Sequence, residues 1–255
     1  MSKIKKTVLI TGGSKRIGLK IAKTLLQNNF NVIITFNKSK KAAIELCSAF
    51  NKKDKICYAL KVDLKKNSQV LKMFEKARKV AGPISCLINN ASIFEYDNIS
   101  NLKSKNWNNH LQANLEAPIF LSQAFYKALP KSMDGNIINI LDQRVLNLTP
   151  HFLSYTISKT ALWTATKTLA LDLAPRIRVN AIGPGPTIKS IHQSAKQFKA
   201  QCKSTPLKIG ADPEDIAKAV LFLISIKSIT GQLIVIDGGQ HLGWGQVNKK
   251  GSQKD

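Results

Sequence analysis

The sequence has little that would direct the chain into a membrane, a disulfide framework or a metal site. No apolar run approaches the roughly eighteen residues of a membrane span. The basic start resembles a signal peptide, but its apolar part is short and runs directly into glycines, which predicts a buried strand. The four cysteines show no metal-ligand spacing, and they are Cys47, Cys57, Cys86 and Cys202. We therefore expect a cytoplasmic protein with free thiols, no bound metal and no membrane contact.

Acidic residues are also scarce. The chain has 15 Asp and Glu against 39 Lys and Arg, for a net charge of +24. Such a charge would suit nucleic acid, but only five of the basic residues are arginines and the lysines are spread along the whole chain. We predict a solvated lysine-rich surface without a nucleic-acid partner. The positive field favours anionic ligands such as a phosphorylated cofactor.

Apolar segments with strand and helix patterns alternate along the chain. Helical patterns cover Ile17–Asn28, Lys40–Phe50, Ser68–Ala81, about 105–129, Phe152–Ala174 and Pro213–Ile224. Continuous apolar strands between them predict a parallel sheet covered on both faces, with strands at Thr7–Ile10, Asn31–Phe36, Ile56–Val62, Ser85–Asn89, Gly135–Leu141, Ile177–Ala181 and Leu233–Ile236. The predicted fold class is a doubly wound α/β domain over 1–245, with a polar tail over 246–255.

A glycine-rich segment, Thr11 to Gly18, joins the first strand to the first helix. Glycines here allow a sharp turn and a close approach to a pyrophosphate, which the helix N-terminus stabilises. The same glycines could serve the turn alone. Their position at the first strand–helix junction favours a dinucleotide site, which we assign to Gly12, Ser14, Lys15, Arg16, Ile17 and Gly18.

The end of the second strand indicates which dinucleotide binds. An NAD enzyme usually has Asp or Glu there for the ribose 2′-hydroxyl. This chain has Asn37, Lys38 and Ser39, with no carboxylate before Glu45. A carboxylate would repel a 2′-phosphate and the lysines attract one, so we predict NADPH.

A third pattern joins Asp142, at the end of an apolar run, to Tyr155 and Lys159 in the next helix. The four-residue spacing places the phenol and the ammonium on one helix face. A cation near a phenol favours the phenolate, so we expect Lys159 to lower the pKa of Tyr155 and make it a general acid. Taken alone, the pair is better explained as a solvated helix face, and the other motifs of the chain reverse that balance.

The ordered set of motifs resembles the short-chain dehydrogenase/reductase family over Thr7 to Gly239. The resemblance implies a Rossmann-type fold, a substrate lid at about 187–212 and association into homodimers or homotetramers. It implies that Lys159 holds the nicotinamide ribose and that Asn114 organises a proton-relay water. The other cofactor positions that it implies are Asp63, Leu64, Asn89, Asn90, Ala91, Ser92, Tyr155, Pro184, Gly185 and Thr187.

Three residues match one branch of that family, the pteridine reductases. Arg16 stands where the usual loop has a glycine, Asp142 replaces the usual serine, and Phe94 follows the Asn89–Ser92 motif. The resemblance implies that Phe94 stacks the pterin against the nicotinamide, with Arg16, Ser92, Asp142 and Tyr155 around the substrate.

The chemistry of the three residues agrees with a C=N substrate. Reduction of a dihydropterin needs a proton on a ring nitrogen, and a desolvated carboxyl group such as Asp142 keeps its proton more readily. Phe94 offers a flat apolar face, and Arg16 a planar fork of donors. Alternatively, Asp142 caps the following loop, Phe94 belongs to the core, and Arg16 serves only the phosphates.

We predict an NADPH-dependent reductase of a dihydropteridine such as dihydromonapterin, dihydrobiopterin or dihydrofolate. One alternative is a carbonyl or 3-oxoacyl reductase of the same family. The other is a nucleotide-sensing or nucleic-acid-binding protein that kept the fold and lost catalysis.

Overall fold

The computed structural model describes residues 6–190 and 193–243 of the chain. Seven parallel strands form one sheet in the order β3-β2-β1-β4-β5-β6-β7. The strands are β1 Thr7–Ile10, β2 Asn31–Phe36, β3 Cys57–Lys61, β4 Ile84–Asn89, β5 Gly135–Ile140, β6 Ile177–Pro184 and β7 Leu233–Ile236. The predicted fold class is confirmed. The predicted tail, 246–255, lies outside the described residues.

Eight α-helices lie in the described part of the chain and cover both faces of the sheet. They are α1 Arg16–Gln27, α2 Lys40–Phe50, α3 Asn67–Ala81, α4 Ser104–Leu111, α5 Ala117–Ala128, α6 Leu153–Asp172, α7 Ala195–Ser204 and α8 Pro213–Ser225. Short 3-10 turns at Gln143–Val145 and Gln240–Leu242 were not predicted. Within the described residues, no helix has the length and apolar character needed to cross a membrane.

Alternating side chains of the strands enter two separate cores, which is why the strands are apolar throughout. In β1, Val8 packs with α1, α2 and α8, while Leu9 packs on the opposite face with α3, α5 and α6. Both residues are fully buried. Each large apolar side chain removed from water in this way stabilises the fold by about 1.5–3 kcal/mol.

The long helix predicted over about 105–129 is wrong in one respect, because a π-helical turn, Gln112–Glu116, separates α4 from α5. Two local features account for it. Pro118 has no N–H to give to the α-helical ladder. The side chain of Asn114, within the turn, donates to the Ile93 carbonyl (3.0 Å) and to Ser158 Oγ (3.1 Å). The turn therefore anchors the loop after β4 to helix α6.

Strand β6 extends three residues beyond its predicted end, as far as Pro184. The order in which strands are added to the sheet reverses between β1 and β4, because β2 and β3 follow β1 on one side and β5 to β7 follow β4 on the other. In open α/β sheets, ligands bind at the carboxyl ends of the strands next to such a switch point. The loops that follow β1, β4, β5 and β6 meet at that edge.

Candidate active site

Two adjoining cavities open at the carboxyl ends of the strands. The larger has a volume of about 540 Å³ and the smaller about 220 Å³. They share four lining residues, which are Gly12, Lys15, Ala91 and Ser92. The shared wall makes one elongated site, which suits a ligand with two separate ring systems joined by a bridge.

The glycine-rich loop forms the part of the site between the two cavities. Gly12 has φ of +66°, and a Cβ on it would lie 3.0 Å from the Cβ of Ala91. A Cβ on Gly18 would lie 2.4 Å from the Gly12 carbonyl oxygen. Both glycines are therefore required, one for its conformation and the other for close packing. Together they expose the N-terminus of α1 to the larger cavity.

Arg16 occupies a left-handed conformation with φ of +53°, which glycine adopts far more easily than arginine. Its guanidinium donates to the carbonyls of Ile188 (2.8 Å) and Lys189 (3.1 Å) in the predicted lid. These two hydrogen bonds offset the backbone cost. Arg16 thus links the glycine-rich loop to the segment predicted as a lid, a contact that the sequence did not indicate.

The smaller cavity lies at the ends of β2 and β3. The hydroxyl oxygens of Ser14 and Ser39 lie 2.7 Å apart and connect the glycine-rich loop to the start of α2. Asp63 is the carboxylate in its lining, and its Oδ1 already accepts from the backbone N–H of Lys65 (3.2 Å). Other predicted residues in this lining are Lys15, Asn37 and Leu64.

The larger cavity is lined by three of the four residues predicted for catalysis, Asp142 just after β5 and Tyr155 and Lys159 on α6. Tyr155 Oη donates to Asp142 Oδ2 at 2.9 Å, and Asp142 Oδ1 accepts from the backbone N–H of Arg144 at 2.9 Å. Asp142 therefore caps the 3-10 turn, as the alternative interpretation expected, and also contacts the phenol. Lys159 Nζ donates to the Ile140 carbonyl at 2.8 Å.

Burial shifts the pKa values of Asp142 and Tyr155. It raises the pKa of Asp142, although Arg144, the backbone hydrogen bond, Tyr155 and Lys159 all favour the charged form. Burial, followed by the neighbouring carboxylate, raises the pKa of Tyr155 well above its usual value. The prediction that Lys159 lowers the pKa of Tyr155 is wrong, because its ammonium lies 5.9 Å from the ring centroid and is directed at a carbonyl.

Burial also lowers the pKa of Lys159 itself to about 8, against a partly compensating attraction to Asp142. Lys159 is only 2% exposed. The ammonium is thus a buried cation beside a carboxyl group and a phenol, an arrangement that is costly for the fold and typical of a functional site.

Aromatic rings form one wall of the larger cavity. Phe94 stacks on Phe152 with centroids 4.2 Å apart and an angle of 11° between the rings, and Tyr155 meets Phe94 edge-on at 4.7 Å. The Arg144 guanidinium lies over Phe152 at 5.1 Å. Phe152 was not predicted as a site residue. It has φ of +58° at the start of α6, a conformation that sequence patterns do not reveal.

The remaining predicted residues divide between the cavity walls and the supporting structure. Those lining the larger cavity include Ile17, Asn90, Pro184, Gly185 and Thr187. Lys38, Asn89 and Asn114 line neither cavity. Asn89 is buried in the sheet and donates to Asn139 Oδ1 at 2.8 Å. The Asn114 carboxamide makes four hydrogen bonds, two of them accepted from Ser92 and Ile93, so its side chain clamps the loop.

Behind Tyr155 lies a fully buried polar chain that sequence patterns did not indicate. His110 Nε2 accepts from the Glu95 N–H at 3.1 Å, so Nδ1 carries the proton and donates to Ser154 Oγ at 2.6 Å. The Ser154 hydroxyl donates to Asp97 Oδ2, and the Ser154 N–H donates to Asp97 Oδ1 at 3.0 Å. Asp97 therefore caps the helix that carries Tyr155, and burial lowers the pKa of His110 and keeps it neutral.

We predict that Asp97→Ala lowers the free energy of unfolding by about 3 kcal/mol, because it removes a helix cap and leaves a buried hydroxyl and a buried N–H unpaired. Urea denaturation measures the loss. The matched control is Asp212→Ala, which removes the exposed cap of α8 and should cost about 1 kcal/mol. Equal losses in the two variants would contradict the structural role given to Asp97.

Comparisons with known proteins agree with this architecture. Residues 12–241 match the family model described as enoyl-(acyl carrier protein) reductase. A 3-oxoacyl-[acyl-carrier-protein] reductase from Buchnera aphidicola is 31% identical and a 3β-hydroxysteroid dehydrogenase from Eggerthella lenta 32% identical. These matches cover 95% and 93% of this chain, and 100% and 94% of the relatives.

Solved structures extend the comparison. The alternative dihydrofolate reductase FolM of Brucella suis, in complex with NADP, is 41% identical with a TM-score of 0.91. The match covers 94% of this chain and 96% of that one. The corresponding Brucella canis protein, also with NADP, is 40% identical with a TM-score of 0.89 over 94% and 95% of the two chains. With its parallel sheet, its glycine-rich loop and its Tyr155–Lys159 pair, the chain belongs to the short-chain dehydrogenase/reductase family.

Proposed function

We propose that this protein is an NADPH-dependent reductase that transfers hydride to a dihydropteridine such as dihydromonapterin, dihydrobiopterin or dihydrofolate. The observation that carries the proposal is the hydrogen bond from Tyr155 to the partly buried Asp142 carboxyl group. Similarity to the two FolM proteins, at 40% and 41% identity, supports the same substrate class.

The smaller cavity fits the 2′-phosphate of NADPH. Lys15, Asn37 and Ser39 line it, and its carboxylate, Asp63, is the residue that the family resemblance assigns to the adenine ring instead of the phosphate. The net charge of +24 adds a favourable field for an anionic cofactor. The NADP complexes of the Brucella proteins are consistent with this choice.

When bound, NADPH supplies a hydride to the carbon of the substrate C=N bond. The chain must deliver a proton to the adjacent ring nitrogen. With Asp142 protonated, its O–H can donate to the Tyr155 oxygen, which frees the phenol proton for the nitrogen. The raised pKa of Asp142 keeps this proton available at a higher pH than an ordinary carboxyl group would. Lys159 then stabilises the negative charge that remains on the Asp142–Tyr155 pair.

The aromatic wall supports a fused-ring substrate. Phe94 and Phe152 both line the larger cavity, and Phe94 is in edge contact with Tyr155. A flat heterocycle stacked along these rings would lie next to the phenol that protonates it. A flexible acyl chain has no comparable need for two parallel rings.

The competing candidate is a 3-oxoacyl reductase, which the matching family model and the Buchnera relative favour. A ketone oxygen needs one hydrogen-bond donor besides tyrosine, and serine commonly supplies it in the family that this chain resembles. Asp142 stands at that position and has no serine hydroxyl to offer the ketone, because in the proposed proton transfer its proton passes to the Tyr155 oxygen. This substitution is why we place the pteridine ahead of the ketone.

The direct test is NADPH oxidation by the purified protein with a panel of dihydropterins, dihydrofolate, a 3-oxoacyl thioester and simple ketones. We expect turnover with at least one dihydropteridine and little with the ketones. Turnover confined to the thioester would establish the competing function. NADPH binding without turnover of any member, together with salt-sensitive binding of DNA, would indicate a non-catalytic protein.

We predict that Asn37→Asp lowers the preference for NADPH over NADH by about tenfold or more, because the new carboxylate in the smaller cavity repels the 2′-phosphate. The ratio of kcat/KM values for the two cofactors measures it. The control is Asn108→Asp, which makes the same charge change at an exposed position of α4 that lines neither cavity. An unchanged ratio for Asn37→Asp would contradict binding of the 2′-phosphate in the smaller cavity.

The proposal includes a cytoplasmic homo-oligomer, a dimer or tetramer. Exposed apolar side chains on helix α6 support association, with Leu171 83% exposed and Ile157 39% exposed. Burial of such residues against a second copy would remove apolar surface from water. Sedimentation of the purified protein measures the number of subunits.

A further inference from the structure

Two cysteines face each other at the end of the sheet opposite the active site. Cys47 lies in the last turn of α2 and Cys57 is the first residue of β3, and their sulfur atoms are 3.0 Å apart. Both thiols are free. A disulfide requires a separation of about 2.05 Å, so a shift of about 1 Å would bring the two sulfurs to bonding distance.

The connection between the two elements holds the pair in place. Asn51, directly after α2, accepts from the backbone N–H groups of Ile56 (3.0 Å) and Cys57 (2.9 Å) and donates to the Cys57 carbonyl (2.8 Å). These three bonds fix the start of β3 against the end of α2. The sulfur atoms therefore meet as a result of local structure, not of a chance contact between mobile side chains.

The two thiols differ in access and in acidity. Cys57 is 1% exposed, whereas Cys47 is half-buried and reachable from solvent. The hydrogen bond from Cys57 lowers the pKa of Cys47 against the opposing effect of burial, and the same bond raises the pKa of Cys57. Cys47 is thus the reactive thiol, with the second sulfur behind it in position to resolve an oxidised product.

We propose that Cys47 and Cys57 are a redox modification site, at which a hydroperoxide converts the two thiols into a disulfide linking α2 to β3. The Cys47 thiolate attacks the peroxide and becomes a sulfenic acid, while the departing oxygen takes up a proton and leaves as water or an alcohol. The Cys57 sulfur then displaces the sulfenic hydroxyl group as water. Two electrons pass from the sulfurs to the O–O bond, which is cleaved.

The disulfide would close a short loop between a helix and an edge strand. Such a cross-link restricts the unfolded chain, so the oxidised protein should unfold at a higher temperature, by roughly 5 °C. The site is independent of the proposed reductase function. Its readouts are the intact mass, the thiol count and the melting temperature.

The test treats the full chain with stoichiometric hydrogen peroxide, alkylates the remaining thiols and maps the peptides. We expect a loss of about 2 Da, a peptide in which Cys47 is joined to Cys57, and the higher melting temperature. Cys47→Ser should abolish all three changes. Cys202→Ser is the matched control, because Cys202 is also half-buried but has no cysteine partner among the described residues, and this variant should oxidise like the parent.

Three outcomes with the parent protein would overturn the proposal. They are four alkylatable thiols after treatment, a sulfinic acid at Cys47 with Cys57 still free, and disulfide-linked dimers in place of an internal bond. A linked peptide in Cys47→Ser would likewise assign the chemistry to a different pair.

Discussion

Replacing Asp142 with serine should lower kcat for a dihydropteridine by about 100-fold and raise turnover of a simple ketone. The loss corresponds to the contribution of one positioned proton donor. Asp142 lies 2.9 Å from the phenol, and its raised pKa makes it the reserve of protons for Tyr155. Serine cannot fill that role, but its hydroxyl can donate to a ketone oxygen. Steady-state kinetics with both substrates and saturating NADPH measure the loss of dihydropteridine turnover and the gain of ketone turnover.

The fold of this variant should be preserved, because serine is also an efficient cap. Asp142 Oδ1 accepts from the Arg144 N–H, and a serine hydroxyl can accept the same bond. Asp142→Asn is the second variant, since it keeps the shape and the cap but has no ionisable proton. Both should retain the parent melting temperature. An unchanged substrate profile in Asp142→Ser would contradict the role of the Asp142 carboxyl group as proton donor to Tyr155.

Lys159→Met should inactivate the protein and at the same time stabilise the cofactor-free chain by about 2 kcal/mol at pH 7. The pKa of the buried ammonium falls from 10.5 to about 8, a difference that corresponds to about 3 kcal/mol of unfavourable burial. Loss of the hydrogen bond to the Ile140 carbonyl (2.8 Å) destabilises the variant by about 1 kcal/mol, which leaves a net stabilisation of about 2 kcal/mol. Urea denaturation measures the balance.

The pH dependence of this effect has a defined sign. Because the folded state binds the proton less tightly, the unfolded state holds more protons between the two pKa values, and stability from this group rises with pH there. The full cost of burying the charged ammonium applies below about pH 8, and it disappears above pH 10.5. The gain in Lys159→Met should therefore shrink between pH 8 and 10.5. Lys218→Met, at an exposed position of α8, should show no such trend, and a constant gain would contradict the explanation.

The sheet was predictable because its strands are buried on both faces. Continuous apolar residues in β1 and β2, separated by amphipathic helices, leave few arrangements other than a parallel sheet. The π-helical turn around Asn114 was not predictable, since it depends on contacts with Ile93 and Ser158 that are distant in sequence. Residues whose conformation is set by such contacts leave no periodic signal.

In the candidate active site, too, features set by local sequence spacing were predictable and features set by distant contacts were not. The spacing of Tyr155 and Lys159 and the position of Asp142 were enough to place the three residues in one cavity. The pKa of Tyr155 was predicted in the wrong direction, because helix spacing fixes which face a lysine occupies but not where its ammonium points. Phe152 and the Asp97–Ser154–His110 chain were missed because their positions depend on tertiary packing and, for Phe152, on a left-handed backbone.

The most direct test of proton delivery by Asp142 is the pH profile of kcat/KM for a dihydropteridine, compared between the parent protein and Asp142→Asn. We predict that the parent profile falls as pH rises through an inflection above 3.8, the ordinary carboxyl value, because reduction requires the protonated acid. The asparagine variant should be slower and lack that inflection. An inflection that persists unchanged in the variant would contradict proton delivery through this carboxyl group.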